Sequence, residues 1–249
     1  MVTTKCLLPI GELLPYRNRS ASPDAIPPVE GHFMSRITVI GGTGYAGSAI
    51  ADEAAARGHR VTALSRSLPD APIPDVTYVR GDATDETALS SAIEGSELVV
   101  DAIAPRGPLG HARAVHRTIA RLADAAGVPL FIVGGASSLR PAPGADRFVT
   151  DPSHLSLIPA EFHGEVRDGA AFVIDDLPAT PATLDWVYVS PAFSFGARTP
   201  GERLGRYRLG DEVAVDPDGG AISAADYALG FVDLIEKGDH HREQVNLGH

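Results

Sequence analysis

The chain is short of several residue types, and each shortage excludes something. Cys6 is the only cysteine among 249 residues, so neither an internal disulfide nor a cysteine metal cluster can form. No apolar run reaches the roughly 18 residues of a membrane-spanning helix. Lysine occurs only at Lys5 and Lys237, and the rest of the 21 basic residues are arginines. With abundant Ala, Gly and Asp, this points to the GC-rich coding bias of a bacterial source, and it weakens any argument from "Arg, not Lys" at one site. Positive charge is scarce overall. Asp and Glu number 32, the formal net charge is −11, and no basic cluster offsets it, which argues against a nucleic-acid partner. A cytoplasmic location and a small-molecule partner are expected. The 44% hydrophobic content over this length is enough for one α/β domain with a full core.

Residues 1–33 differ from the rest. They hold Pro9, Pro15, Pro23, Pro27 and Pro28, show no periodicity, and lack the apolar region of a secretory signal. Met34 precedes the first apolar run and is an alternative start. The segment reads as a flexible arm or an over-annotated start, with an oligomer-contact arm as the other reading. The body, 34–249, is expected to be a monomer or homodimer.

Short apolar runs alternate with helical periodicity. Strands are expected at 37–40, 60–64, 76–79, 97–103, 129–133 and 184–189, with helices at 48–57, 84–93, 109–126 and within 160–177. On 109–126 the apolar positions are Ala112, Val115, Ile119, Leu122 and Ala126. A short strand near Val213, a helix over 223–236 and a last strand near 244–247 complete a C-terminal extension. Buried strands joined by helices predict a doubly wound, mainly parallel sheet with helices on both faces. Loops 105–110, 134–158 and 191–210 leave the C-terminal ends of strands, where open α/β sheets bind ligands.

The most informative stretch is Gly41-Gly42-Thr43-Gly44-Tyr45-Ala46-Gly47, set between the first strand and an Ala-rich helix. Strand, glycine turn and helix in that order form a dinucleotide-binding unit. Glycines let backbone approach a pyrophosphate, and the helix aims free N–H groups and its positive end at the phosphates. An NAD site places a carboxylate about 20 residues on, for the ribose hydroxyls. This chain has Ser65-Arg66-Ser67 there, and a guanidinium suits a 2′-phosphate, so NADP(H) is expected over NAD(H).

These motifs and several later segments together resemble an atypical short-chain dehydrogenase/reductase. The later segments are Arg80-Gly81-Asp82-Ala83-Thr84-Asp85, Val133-Gly134-Gly135-Ala136-Ser137-Ser138-Leu139, Asp185-Trp186-Val187-Tyr188-Val189-Ser190-Pro191-Ala192 and Ile222-Ser223-Ala224-Ala225-Asp226-Tyr227-Ala228. The resemblance covers about residues 36–248. It is to the NAD(P)H-binding group of NmrA-like proteins, biliverdin reductase B-like flavin reductases and bacterial NADH-flavin reductase-like proteins. It implies a Rossmann-like fold in which Asp82 and Ala83 lie beside the adenine and Ala102, Ile103 and Ala104 line the adenosine side. Gly134 and Gly135 would then lie near the nicotinamide ribose, and Pro191, Ala192 and Phe193 beside the nicotinamide. On residue type alone Asp82 is equally a turn or cap residue. Ser223 and Asp226 are expected to cap the late helix.

Ordinary members of the wider family pair Tyr with Lys four residues later, the Lys lowering the tyrosine pKa. None of the six tyrosines here has Lys at that spacing. Two kinds of function fit. One is hydride transfer to an acceptor that needs little acid catalysis, such as a flavin, a quinone or a tetrapyrrole. The other is a non-catalytic NADP(H) redox sensor of the NmrA kind. For the first, Ser137 and Ser138 are candidates to hold the acceptor or the carboxamide, and His154 or His163 to supply a proton; loop-capping serines and surface histidines are the plain alternatives. His111 and His116, five apart on a helix, do not share a face, and no metal site is expected.

Overall fold

The computed structural model describes residues 34–104 and 111–249. The reading of residues 1–33 and the loop 105–110 both lie outside the described residues. One eight-stranded sheet is built from β1 (Arg36–Ile40), β2 (Arg60–Ser65), β3 (Val76–Arg80), β4 (Leu98–Asp101), β5 (Leu130–Val133), β6 (Trp186–Pro191), β7 (Arg208–Gly210) and β8 (Glu243–Gly248). Its order is β3-β2-β1-β4-β5-β6-β8-β7, and every pair is parallel except β7 with β8. This is the Rossmann-like order, extended by two strands at the C-terminal edge.

Helix α1 (Tyr45–Ala56) and helix α6 (Ala224–Lys237) pack together on one face. Helix α2 (Glu86–Ile93), helix α3 (His111–Ala126) and helix α5 (His163–Ala171) cover the other. Successive strand residues therefore enter two cores. Ile37 and Val39 join Ile50, Tyr227 and Phe231 on the first face. Ile40 joins Leu89, Ile119, Ile132 and Phe172 on the second. Strands buried on both sides favour apolar residues at nearly every position, which is why the central strands read as short, largely apolar runs.

Three segments differ from the sequence reading. The strand expected near Val213 is β7, at 208–210. Asp211 turns the chain by accepting from the Val213 N–H at 2.8 Å, and Val213 instead bridges Arg140. The stretch expected as one polar loop, 134–158, carries two 3-10 turns and helix α4 (Pro152–Ser156), because Leu139, Phe148 and Ala214 form a small core of their own. Helix α5 continues as a π-turn over Phe172–Asp176, which sets Phe172 and Val173 into the second core.

Asp226 ties the C-terminal extension together. Its carboxylate accepts from the Leu204 and Gly205 N–H groups at 2.7 and 2.8 Å and bonds Ser223 Oγ and His249 Nε2. Ser223 caps α6 by accepting from the Asp226 N–H at 3.1 Å. Burial works against the charged carboxylate, but these donors outweigh it and hold its pKa below the usual range.

The turn after β1 sets the position of α1. Gly41 has φ +87°, and a Cβ on it would lie 2.6 Å from the Ala102 carbonyl oxygen. One turn on, a Cβ on Gly47 would overlap the Gly41 carbonyl. Helix and turn can meet this closely only without side chains between them. We expect Gly47→Ala to destabilise the fold by about 1–3 kcal/mol, the usual cost of forcing an extra carbon into packed backbone. A denaturant midpoint equal to that of the native protein would show that α1 is not seated on this contact.

Candidate functional site

The C-terminal ends of β1, β2 and β4 open onto a cleft of about 820 Å³. Chain order reverses at this point, β1 being flanked by β2 on one side and β4 on the other. The glycine turn forms the floor, through Gly41, Thr43, Gly44, Tyr45 and Ala46. Helix α1 begins here, capped at Gly44 and with no acidic residue in its first turn, so its leading N–H groups and positive dipole end face the cleft. Gly47 does not line it; this residue lies buried beneath Gly41, in the close-packing role already described.

The wall at the end of β2 holds Ser65 and Arg66. Ser65 Oγ donates to the Ser67 carbonyl at 2.9 Å, and Arg66 is exposed at the rim. Asp82 and Ala83, after β3, stand beside them. Asp82 Oδ1 takes hydrogen bonds from the Thr84 N–H and hydroxyl, both at 2.9 Å. The Thr84 bonds, aided by Arg66 and His111, lower the Asp82 pKa. This is the turn role that was open from the sequence. Ala102, Ile103 and Ala104 line the opposite side with Gly134.

The far wall departs from expectation. Ala192 is buried at the end of β6, and Phe193 packs edge-on against Phe148 at 4.8 Å. Neither they nor Pro191 line the cleft; Phe195, Gly196 and Ala197 do. Tyr45 meets this segment, its ring edge-on to Phe195 at 5.2 Å and its hydroxyl bonded to the Pro200 carbonyl. The wall lies a few residues further on because β6 runs to Pro191 before the chain turns.

A second, smaller cavity of about 150 Å³ adjoins the cleft, and Ile103, Val133 and Gly134 line both. Gly135, Ser137 and Ser138 form one of its sides and α5 another, through Glu165, Val166 and Gly169. Tyr188, on β6, stands at its base. Its hydroxyl accepts from the Gly135 N–H at 3.1 Å and donates to the Gly169 carbonyl at 3.3 Å. Burial pushes its pKa up to about 12, so it holds its proton.

Ser138 is not free to serve an acceptor. Its hydroxyl donates to the Gly135 carbonyl at 2.9 Å and accepts from Gln244 Nε2 at 2.7 Å. Gln244 also bonds Ser190 and Arg147, so the 134–138 turn is braced from behind. Ser137 Oγ is 3.1 Å from His154 Nε2. His154 itself lies outside both cavities, against Phe148 and Phe193 with ring centroids 5.0 and 5.2 Å away. Burial there lowers its pKa, against the pull of Asp151. A proton donor for neutral pH needs the opposite shift. His163 bonds the Leu155 and Ile158 carbonyls at 2.9 Å each, fastening α4 to α5.

The sequence reading missed a buried pair. Asp101 ends β4 with no exposed surface, and His116 Nδ1 lies 2.6 Å from its Oδ2. The His116 ring stacks on Phe172 at 5.1 Å and lines the smaller cavity. Burial opposes the imidazolium, but the Asp101 charge and hydrogen bond prevail and raise its pKa. The signal was in the helix. The buried positions of α3 are 112, 115, 116, 119, 120 and 123, so the apolar stripe carries His116 inward one step after Val115. Among the described residues no group of three or more His, Cys, Asp or Glu side chains stands where it could hold a metal ion. No helix among them is long and apolar enough to cross a membrane.

The glycine turn, the parallel sheet and the cleft at its switch point define a dinucleotide-binding protein. The NAD(P)H-binding family model matches residues 41–237, and the chain belongs to that family. It is 34% identical to the Bacillus subtilis protein YwnB over 219 residues, covering 85% of this chain and 97% of that one. It is similar to a putative epimerase of Bacteroides thetaiotaomicron, at 31% identity and a TM-score of 0.75 over 87% of this chain and 98% of that one. A putative NADH-flavin reductase of Streptococcus pneumoniae superposes with a TM-score of 0.72 at 29% identity, over 86% and 99% of the two chains. The chain is thus an NAD(P)H-binding protein with a Rossmann-like fold.

The packing of His154 yields a direct expectation. Followed by NMR, its ring should titrate below the usual 6.5 and be neutral at pH 7. A midpoint at or above 6.5 would mean that the ring leaves Phe148 and Phe193 in solution.

Proposed function

We propose that the protein is an NADPH-dependent reductase of a small planar acceptor, a flavin or a quinone, working without a Tyr-Lys pair. The observation that carries this reading is the join between the two spaces: the glycine-floored cleft continues at Gly134 into a ring-sized cavity. When bound, the cofactor supplies the hydride. The residues present fit it. The bare glycine turn lines the cleft with backbone, and the first N–H groups of α1 beside it suit a pyrophosphate. Gly41, Thr43, Gly44, Tyr45 and Ala46 would hold the pyrophosphate, and Ser65 and Arg66 the 2′-phosphate. Asp82, Ala83, Ala102, Ile103 and Ala104 would flank the adenosine, with Gly134 and Gly135 at the nicotinamide end.

The chain's own groups supply orientation and a dry pocket. Ile103, Ile132, Ala170 and Phe172 give the smaller cavity apolar walls that exclude water. Tyr188 fixes the Gly135 and Gly169 backbone and keeps its proton, so it positions the walls and transfers nothing. Ser137 stands at the cavity's edge, within reach of an acceptor oxygen or a carboxamide.

Arg66→Ala should weaken NADPH about ten- to a hundredfold and leave NADH nearly unchanged, because a lost charge-assisted bond costs about 1.5–3 kcal/mol. Calorimetric titration of both nucleotides checks this, and equal losses would move the specificity residue elsewhere. Turnover is read by NADPH oxidation with FMN, riboflavin and duroquinone. Tyr188→Phe should lower kcat less than tenfold, whereas loss of a general acid costs typically 10²–10⁴-fold. Tight NADPH binding with no acceptor reduced would replace the reductase by a redox sensor.

A further inference from the structure

We propose that His116, backed by Asp101, is the proton donor to the acceptor, and that the smaller cavity is the acceptor site. This rests on the reductase reading above. Three features of the geometry carry it. His116 lines the cavity, and Asp101 lies fully buried behind it. Asp101 takes Nδ1, and its other oxygen accepts from the Ile103 N–H at 3.1 Å, so the carboxylate is fixed on the ring from behind. Nε2, which has no hydrogen bond among the described residues, is then the nitrogen left for a ligand. A purely structural histidine would be expected to satisfy both ring nitrogens within the protein.

The surroundings favour the protonated ring. Asp101 faces it from β4 and Asp168 from α5, and both act to raise its pKa. Glu165, also on α5, lines the same cavity; it and Asp168 have partners of their own. Tyr188 faces the space from β6 as a neutral phenol. On α3 itself, Arg113 and Arg117 are turned away onto Asp176, with bonds of 2.6 and 2.8 Å from their Nε atoms. No cation among the described residues is therefore directed at His116, and carboxylates meet it from two elements.

The chemistry balances without a further reagent. The acceptor is a conjugated carbonyl on a single ring, or on one ring edge of a larger system, since about 150 Å³ admits little more. It takes a hydride from the reduced nicotinamide, whose C4–H bond breaks as the acceptor gains two electrons. In the same step the His116 Nε2–H bond breaks and an O–H bond forms on the acceptor oxygen. The imidazole left behind stays hydrogen-bonded to Asp101 and is reprotonated by water when the product leaves.

The test uses the full chain, NADPH and duroquinone, with His116→Gln and Asp101→Asn as variants. A donor must be protonated, so native kcat should fall as pH rises through the raised His116 pKa. In His116→Gln that limb should vanish and kcat should drop about 10²–10⁴-fold. NADPH affinity should stay within threefold. Asp101→Asn keeps the shape but removes the charge, and should move the limb to lower pH. NMR of the His116 ring gives a readout free of turnover: with NADP+ bound, duroquinone should shift its resonances. Native-like kcat and an unchanged limb in His116→Gln would overturn the proposal, as would ring resonances that duroquinone does not move. If the native enzyme binds NADPH but turns over no acceptor, the reductase reading fails instead, and the NMR arm alone decides whether His116 faces a ligand.

Discussion

The contact of Gly47 with the Gly41 carbonyl is the constraint on which the rest of the architecture turns. Because neither residue has a side chain, α1 sits directly on the turn after β1. That seating aims the first N–H groups of the helix into the gap where the sheet reverses its order. It also sets the angle at which α1 meets α6, whose Tyr227 donates to the Val189 carbonyl at 2.6 Å and links this face back to β6. Cleft floor, first core and C-terminal edge are thus coupled through one backbone approach. The second core is coupled to the smaller cavity in the same way, through Phe172, which both fills the core and supports the His116 ring.

Much of the fold was legible because its signals are local. A parallel sheet covered on both faces demands strongly apolar strands, and residues 37–40, 60–64 and 129–133 are mostly apolar, broken only by Thr38, Arg60 and Thr62. Gly127 marks the end of α3 through its left-handed φ of +67°. The signals failed where tertiary context decides. Nothing near Val213 says that Asp211 will end β7 early, and the stretch 134–158 looked polar because Leu139 and Phe148 are isolated in sequence. They become a core only when Ala214 arrives from the other end of the chain.

The candidate site divides along the same line. The half that would hold the nucleotide is drawn from short segments that each directly follow a strand, and most of the residues expected there line the cleft. The reacting half is assembled from β4, β5, β6, α3 and α5, and no sequence spacing connects them. Ser138 and His154 were attractive by residue type, but Gln244 and Phe193, distant in sequence, decide what they can do. Gln244 occupies the Ser138 hydroxyl, and Phe193 helps to enclose His154. In the sequence His116 invites comparison only with His111, and Asp101 with nothing, because no spacing joins the two. An acidic residue ending a fully buried strand, and a histidine inside an apolar stripe, acquire meaning only when one lies 2.6 Å from the other.

On the proposed reading, a nicotinamide nucleotide lies along the cleft with its reactive ring at the mouth of the smaller cavity. A crystal structure of the protein with NADP+ tests it most directly. The expected complex has the 2′-phosphate on Arg66, the pyrophosphate on the first N–H groups of α1, and the nicotinamide beside Gly134 with C4 facing the space before His116. A nucleotide bound in the reverse direction, or a nicotinamide turned toward Phe195 and away from that cavity, would contradict it.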